Sequence, residues 1–213
     1  MVRVSKDPEI RRKEFIDAAA ELFNEKGFDN TSVSDITNKV GLSHGSFFYY
    51  FKSKKEIMKE VIFDGLNEIR YSIRQIVDNK QMNAIDKFQT ILKLSADVQD
   101  THDEFVEYSH RESNVAMHRE YTLKSREMLL PLFIEIIEQG VKEGTFNLDY
   151  PAETMVYLTY IFENMDDSIE SSKTEEEYYR KMRALDILII KALGIPENTK
   201  LLNYYLKPNL KSE

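Results

Sequence analysis

Residues 31–54 read TSVSDITNKVGLSHGSFFYYFKSK and predict two short helices joined by a tight turn. The first covers about residues 32–40, where apolar side chains recur at helical spacing. Gly41 permits a sharp turn after it, and Ser43 can cap the second helix, over about residues 44–51. A short helix, a glycine turn and another short helix form the pattern of a helix-turn-helix.

Helical periodicity continues on both sides of this segment. One helix is predicted over about residues 8–26, with Gly27 placed to end it, and a long helix begins at Lys54 behind the cap residue Ser53. After a polar break, further helices are predicted over about 84–97, 102–114, 117–142, 151–171 and 174–193. The predicted fold class is therefore all-α, with a small three-helix head joined by the long helix to a larger helical body.

The charge is divided unevenly along the chain. The net charge is −8, but residues 1–60 hold 11 Lys/Arg against 10 Asp/Glu, a net of +1, which leaves −9 for the rest. Within the head, the stretches 1–13 and 39–59 are basic. Salt limits the reach of distant charges to about 8–10 Å, so an acidic body does not prevent the head from holding phosphates. Solvated helix ends have the same composition, and charge alone leaves both interpretations open.

Composition excludes several classes of site and membrane segment. The chain has no Cys, which excludes disulfides, thiolate metal sites and cysteine nucleophiles. Residues 1–13 are charged and lack the apolar core of a signal peptide, and no apolar stretch approaches the roughly 18 residues of a membrane span. We therefore expect a cytoplasmic protein that needs no cofactor and does not associate with a membrane.

The residues of the head resemble the DNA-binding domain of the tetracycline-repressor (TetR) family. The likeness covers about residues 8–62 and rests on the segments FIDAAxxLF (15–23), KGF (26–28), TSV (31–33), GLS (41–43), GS (45–46) and YFKSK (50–54). The family commonly has Tyr where this chain has Phe48, so one hydroxyl directed at phosphate is missing. A weaker likeness, at residues 140–146 and 151–153, is to the hinge between two long helices of the family's body.

The resemblance and the chemistry of the aligned side chains together assign the expected DNA contacts. Thr31 and Ser32, at a helix start, are expected to donate to one phosphate, and Tyr50 and Lys54 to hold a second. His44 is the first candidate for contact with a base edge. The residues expected to face the major groove are Ser43, His44, Gly45, Ser46 and Tyr49, with Gly45 letting the backbone approach the DNA.

The resemblance also implies two domains, a DNA-binding head over residues 1–55 and a ligand-binding and dimerisation body over residues 56–213. The side chains expected to line a pocket are Phe88, Leu92, Phe105, Tyr108, Tyr121, Met128, Tyr157 and Phe162. The side chains expected at a dimer seam are Leu185, Leu188, Ile189 and Ala192. Apolar stripes of this kind more often belong to an ordinary helical core, and that interpretation stays open.

The function implied by the resemblance is that of a transcriptional repressor that binds a palindromic operator as a homodimer. A small-molecule effector would favour a conformation in which the long fourth helix has swung, which releases the DNA. Two alternatives remain open. One is a helix-turn-helix regulator without a small-molecule switch. The other is a helical metal-dependent enzyme, suggested by Glu107-x-x-His110, although such enzymes use this pattern twice and the chain has it once.

Overall fold

A computed structural model describes residues 7–100, 115–196, 199, 201 and 202, except for the side chains of 95–100 and 165–170. Within that part of the chain the secondary structure is entirely helical, as predicted. The eight helices of the described residues are α1 (Pro8–Lys26), α2 (Val33–Val40), α3 (His44–Tyr50), α4 (Lys54–Val77), α5 (Ala84–Asp100), α6 (Val115–Glu143), α7 (Pro151–Glu170) and α8 (Glu175–Leu193). The helix predicted over 102–114 lies outside the described residues.

Local chemistry explains where several of these helices begin and end. The Asp7 carboxylate accepts a hydrogen bond from the amide of Glu9 and caps α1, and Pro8 follows at the first helical position. Gly41 ends α2 in the left-handed region, at φ 72°, and Gly194 does the same for α8, at φ 61°. Such backbone conformations favour glycine because they put a Cβ close to the backbone.

The head consists of residues 7–69 together with 115–121 and has its own core. Three rings lie at the centre of this core: Phe15 contacts Phe47 edge-to-face at 5.8 Å and Phe51 at 6.2 Å between centroids. The first half of α4 completes the core, together with Met117 from the start of α6. The compact head thus extends to residue 69 and includes a segment of α6, whereas the sequence placed its boundary at residue 55. Residues of α1, α2, α3 and the first half of α4 share one buried cluster, so α4 belongs to the head in part.

The body consists of the described residues from 70 to 100 and from 122 onward. Close packing at two glycines determines how its helices are connected. A Cβ on Gly140, in α6, would lie 2.1 Å from the Phe146 ring, and a Cβ on Gly194 would lie 2.1 Å from the carbonyl oxygen of Asn147. The Asn147 amide also donates to the Leu193 carbonyl, which joins the α6–α7 loop to the end of α8.

Polar contacts attach the C-terminal end of α4 to α6 within the body. Arg74 makes a bidentate ion pair with Glu135, with N–O distances of 2.8 and 2.7 Å. Lys87 is buried, and its ammonium donates to the carbonyl of Val77 and to the side chain of Gln139.

In the described part of the chain, no helix combines the length and the apolar character that a bilayer span requires.

Candidate nucleic-acid interface

The turn between α2 and α3 sets the position of α3. Gly41 adopts φ 72° and ψ 32°, and the amide of Leu42 donates to the Thr37 carbonyl, which closes the end of α2. Ser43 then caps α3 by accepting from the amide of Ser46. The two helices are also linked by side chains, since His44 Nε2 lies 2.9 Å from the hydroxyl of Ser34. The geometry is that of a helix-turn-helix with a short second helix.

The predicted groove residues lie largely on the outside of α3. Ser43, His44, Gly45 and Tyr49 are exposed, and Ser46 is half-buried because its amide and hydroxyl face Ser43. Phe47 and Phe51 are buried on the opposite face. The helix therefore presents one polar and aromatic face to solvent and anchors its other face in the head core.

Phe48 is a further exposed residue of this face, and the sequence predicted no DNA contact for it. Its side chain is 54% exposed and its ring meets the Phe47 ring edge-to-face at 5.3 Å. The His44 ring lies 6.5 Å away, one helical turn earlier. The signal that could have identified Phe48 is the spacing of four residues from His44, which places both on one helix face.

Tyr50 differs from its neighbour Tyr49 in how it is held. Tyr50 is half-buried, with its ring 5.9 Å from that of Phe15 in α1, whereas Tyr49 is 77% exposed. The two rings meet edge-to-face at 4.8 Å. Tyr50 is thus fixed by the core, and Tyr49 projects from it.

The hydrogen-bonding groups at the start of α2 bind one another. The amide and the hydroxyl of Ser32 both donate to the Asp35 carboxylate at 2.7 Å, and the Asp35 amide donates back to the Ser32 hydroxyl. The pKa of the Asp35 carboxyl lies well below its usual range. The largest cause is the ion pair with Lys26, and the bonds from Ser32 add to it. The Ser32 donors are present where the sequence placed them, but they are shared with Asp35.

The prediction that the Thr31 hydroxyl donates to a phosphate is wrong for this structure. Thr31 is only 1% exposed, and its hydroxyl donates to the carbonyls of Gly27 and Leu22 at 2.8 and 3.3 Å. The hydroxyl is thus engaged inside the head, by carbonyls at and near the end of α1.

The ammonium of Lys54 makes its contacts inside the head. Its assignment to a phosphate is therefore corrected. Its ammonium donates to the carbonyls of Phe28 and Thr31 at 2.6 and 2.7 Å and lies 4.2 Å from the centre of the Phe28 ring. Burial lowers the pKa of Lys54, against the opposing effect of the acids Asp29 and Asp35. Lys54 thus attaches the start of α4 to the loop between α1 and α2.

Two other lysines remain as candidates for phosphate contact. Lys52 and Lys55 are exposed, and neither has an ion pair with another residue in the described part of the head. Among the other described cations of the head, Lys54 donates to carbonyls and Arg119 is exposed without an ion pair. The rest are paired with acids, as Arg11–Glu14, Arg12–Glu60, Lys13–Asp17 and Asp64, Lys26–Asp35, Lys39–Glu21 and Glu25, and Lys59–Glu120. Two of the described head cations without an acid partner, Lys52 and Lys55, therefore lie just after α3.

The side chains expected to line a pocket do not share one environment. Phe88 and Leu92 are buried in α5. Tyr121, Met128 and Phe162 are half-buried. Tyr157 is 70% exposed on α7, unlike the other described members of this set, and its place in a pocket wall stays a prediction. Phe105 and Tyr108 lie outside the described residues.

The predicted dimer seam on α8 is partly accessible. Leu188 is 49% exposed, and Leu185 and Ala192 are half-buried. Ile189 is completely buried, which removes it from the accessible seam, because this turn of α8 directs it into the body core. Ile187, which was not among the predicted seam residues, is 47% exposed beside Leu188.

The pattern Glu107-x-x-His110, on which the enzyme alternative depends, lies outside the described residues. Among the side chains that the structure does describe, no group of three His, Cys, Asp or Glu is placed to hold a metal ion.

Comparisons with known proteins agree with this geometry. Residues 15–61 match the family described as bacterial regulatory proteins, tetR family. The transcriptional repressor KstR2 of Mycobacterium tuberculosis is 28% identical over 160 residues, which span 74% of this chain and 79% of that protein. A tetR-family regulator from Pectobacterium atrosepticum has a similar fold, with a TM-score of 0.71 and 16% identity over 91% of this chain and 100% of that chain. RolR, solved with the ligand resorcinol, has a TM-score of 0.62 and 16% identity over 89% and 90%.

Proposed function

This chain is a helix-turn-helix protein of the tetR family of bacterial regulators, and from that premise we propose that it represses transcription as a ligand-responsive homodimer. The homodimer binds a palindromic DNA operator, and a small-molecule effector releases it. The observation that carries the proposal is the outer face of α3, where His44, Phe48 and Tyr49 project after a left-handed glycine turn.

The charge around α3 supports DNA as the partner. Lys52 and Lys55 follow α3 directly and are exposed, so they are available to phosphates on either side of a groove that α3 enters. Ser43 and Ser46 add hydroxyl groups at the N-terminal end of α3, where the helix dipole favours an anion. Phosphate contacts of this kind position the protein, and the face of α3 reads the bases.

The homodimer is supported by apolar side chains left exposed on the last two helices. Tyr157 and Tyr160 on α7, and Ile187 and Leu188 on α8, are each between 47% and 70% exposed. A twofold axis through such a face buries the same patch of both protomers. It would also set two copies of α3 about one DNA turn apart, roughly 34–36 Å, which requires a palindromic site.

The release by a small molecule rests on relatives rather than on a site in this chain. RolR carries resorcinol in its solved structure, and KstR2 is named a repressor. An effector shifts the equilibrium only through its different affinities for the two conformations, and a coupling of about 1–3 kcal/mol changes operator affinity about 5- to 150-fold.

The proposal is tested by selecting binding sites from a random duplex library with the full chain. The selected duplex is then titrated at two salt concentrations. We expect a palindromic consensus and an affinity that falls steeply as the salt concentration rises. His44→Ala and Tyr49→Ala should weaken consensus binding more than nonspecific binding. Failure to enrich any site, or binding that ignores salt and both substitutions, would show that α3 does not read DNA.

A further inference from the structure

The recognition helix lacks the side chains that usually read purines. Its seven residues are HGSFFYY, which include no Arg, Lys, Asn or Gln. Arg and Lys recognise guanine, and Asn and Gln recognise adenine, through paired hydrogen bonds in the major groove. The outer face of α3 therefore has to obtain its sequence preference from His44, from hydroxyl groups and from exposed aromatic rings.

Phe48 is the member of this face with no polar atom in its side chain. It is 54% exposed, although the ring could have been buried if packing of the head were its only role. Its orientation is set by Phe47, which is fully buried and meets the Phe48 ring edge-to-face at 5.3 Å. Phe48 is thus an apolar group held in a fixed position on a surface that otherwise offers hydrogen bonds.

Major-groove edges of the four base pairs carry one apolar substituent, the 5-methyl group of thymine. A phenyl ring gains from covering that methyl and gains nothing from the donors and acceptors of the other bases, which it would desolvate without pairing. We infer that Phe48 is a specificity-determining residue that recognises a thymine methyl in each half of the operator. This inference rests on the proposed function.

The geometry of α3 limits where that thymine lies. Phe48 follows His44 by four residues, so their Cβ atoms are about 5–6 Å apart on one face of the helix. Successive bases along one DNA strand are about 3.4 Å apart. The thymine recognised by Phe48 therefore lies within about two base pairs of the base edge that meets His44.

Replacing thymine by uracil removes the methyl group and leaves every hydrogen-bonding group in place. The selected operator is synthesised with uracil at each thymine position of both half-sites in turn, and each duplex is titrated against the full chain. We expect one position at which the affinity of the wild-type protein falls about 4-fold per half-site, or about 15-fold when both halves are changed, as the loss of one buried methyl-sized group implies.

Variants separate recognition by Phe48 from a general loss of binding. Phe48→Ala should bind the thymine operator more weakly and should show no difference between thymine and uracil at that position. Tyr49→Ala removes a neighbouring exposed ring and should keep the wild-type difference. Thermal unfolding and nonspecific DNA binding of Phe48→Ala, each compared with the wild type, check that the head remains folded.

Two results would contradict the inference about Phe48, and a third would contradict the proposed function. Wild-type protein that binds the operator with the expected salt dependence but shows no effect of uracil at any position overturns the inference and leaves the proposed function standing. A uracil effect that persists in Phe48→Ala assigns the methyl contact to another residue and also overturns the inference. Absence of any selected operator contradicts the proposed function itself.

Discussion

Gly45 is a residue of α3 whose identity is not required by the protein's own packing. A Cβ at this position would meet only the Ser43 hydroxyl, at the ordinary distance of 3.7 Å. Glycine within a helix costs up to about 1 kcal/mol relative to alanine. We therefore predict that Gly45→Ala raises the free energy of unfolding by about 0.5–1 kcal/mol and lowers operator affinity by about tenfold, because the added methyl meets the DNA backbone.

Gly65 in α4 provides a matched control for this prediction. A Cβ there also has open space, with no atom within 4 Å, but Gly65 lies outside the recognition helix. Gly65→Ala should stabilise the protein similarly and leave operator affinity unchanged. Thermal unfolding and operator titration of both variants give the comparison. An undiminished affinity of Gly45→Ala would mean that the DNA does not approach the backbone at this residue.

Lys54 and Lys52 are two residues apart, but we expect their replacements to act by different routes. Lys54→Met keeps the stem beside Phe28 and removes the ammonium that serves the carbonyls of Phe28 and Thr31. It should lower the free energy of unfolding by about 1–3 kcal/mol, since part-buried carbonyls lose their donor. Operator affinity should fall without a change in its salt dependence. Lys52→Gln should leave stability unchanged and reduce the slope of log affinity against log salt by about 0.9 per phosphate.

Titration over a series of salt concentrations distinguishes the two routes. Lys55→Gln, on the other exposed cation, should behave as Lys52→Gln does. If Lys54→Met reduced the salt slope as much as Lys52→Gln, its ammonium would leave the Phe28 and Thr31 carbonyls when DNA binds, and the assignment to the head interior would have to be abandoned for the complex.

At the scale of helices, the features that depend on nearby residues were predictable from the sequence. The limits of α1, the turn at Gly41 and the end of α8 at Gly194 follow from caps and from backbone conformations that only a few residue types adopt. The roles of Lys52 and Lys54 were not predictable, because the carbonyls that engage Lys54 are 23 and 26 residues away.

The rotation of a helix about its axis is equally difficult to predict when apolar residues occupy every face. The segment LDILII, residues 185–190, offers apolar side chains on all sides of α8. Packing within the body buries Ile189 and leaves Ile187 about half exposed, and no local signal distinguishes the two. The same reasoning applies to Tyr157, whose apolar ring suggested burial but which projects from α7.

Gly140 allows α6 and the following loop to pack closely. The Phe146 ring occupies the position where a Cβ on Gly140 would stand, 2.1 Å from its nearest carbon atom. We predict that Gly140→Ala lowers the free energy of unfolding by about 1–3 kcal/mol, because the ring and the loop must shift. Phe146→Leu in the same chain should recover part of this loss, and chemical denaturation of both single variants and the double variant measures the coupling. If the effects of the two substitutions on the free energy of unfolding simply add, the strain at Gly140→Ala is relieved somewhere other than at Phe146.

The ion pair between α4 and α6 makes stability depend on pH in a defined direction. Arg74 lowers the pKa of the Glu135 carboxyl below its ordinary value of 4.5. A carboxyl whose pKa is lower in the folded state contributes stability above its unfolded pKa and loses it as the pH falls through the folded pKa. We predict that Glu135→Gln destabilises the protein at pH 7 by less than about 1 kcal/mol, since the pair is partly exposed, and that the destabilisation becomes smaller as the pH falls to 3.

Thermal unfolding of the wild type and Glu135→Gln at the two pH values tests this directly. Glu138→Gln, on an exposed residue one turn along α6, serves as the control and should match the wild type at both. If the wild type and Glu135→Gln differ in unfolding temperature by the same amount at pH 7 and at pH 3, the carboxylate charge is not what joins α4 to α6.

At the scale of the whole molecule, an acidic chain can bind DNA because its charges are segregated. The net charge of −8 includes a head with +1 over residues 1–60, and most described cations of the head are already paired with acids. Of the described head cations without an acid partner, the exposed Lys52 and Lys55 directly follow α3 along the chain. Screening over about 8–10 Å then separates this small basic region from acids farther away.

The proposed homodimer makes operator recognition depend on two heads held together, and α8 offers the surface on which to test this. Leu188 is 49% exposed, and on α6 Leu123 is exposed to a similar extent, 53%. If the exposed face of α7 and α8 is the dimer seam, Leu188→Glu buries two carboxylates near the twofold axis, which costs several kcal/mol, whereas Leu123→Glu remains in solvent. We predict that Leu188→Glu is a monomer of 25.0 kDa at micromolar concentration and that the wild type and Leu123→Glu have twice that mass.

Light scattering on a size-exclusion column measures these masses, and operator titration measures the consequence. A monomer contacts one half-site at a time, so Leu188→Glu should bind the full palindrome no more tightly than an isolated half-site, while Leu123→Glu retains the preference for the palindrome. A dimeric Leu188→Glu would place the seam elsewhere. A monomeric Leu188→Glu with undiminished affinity for the palindrome would mean that one head is sufficient, and the twofold arrangement of the two α3 helices would no longer explain recognition.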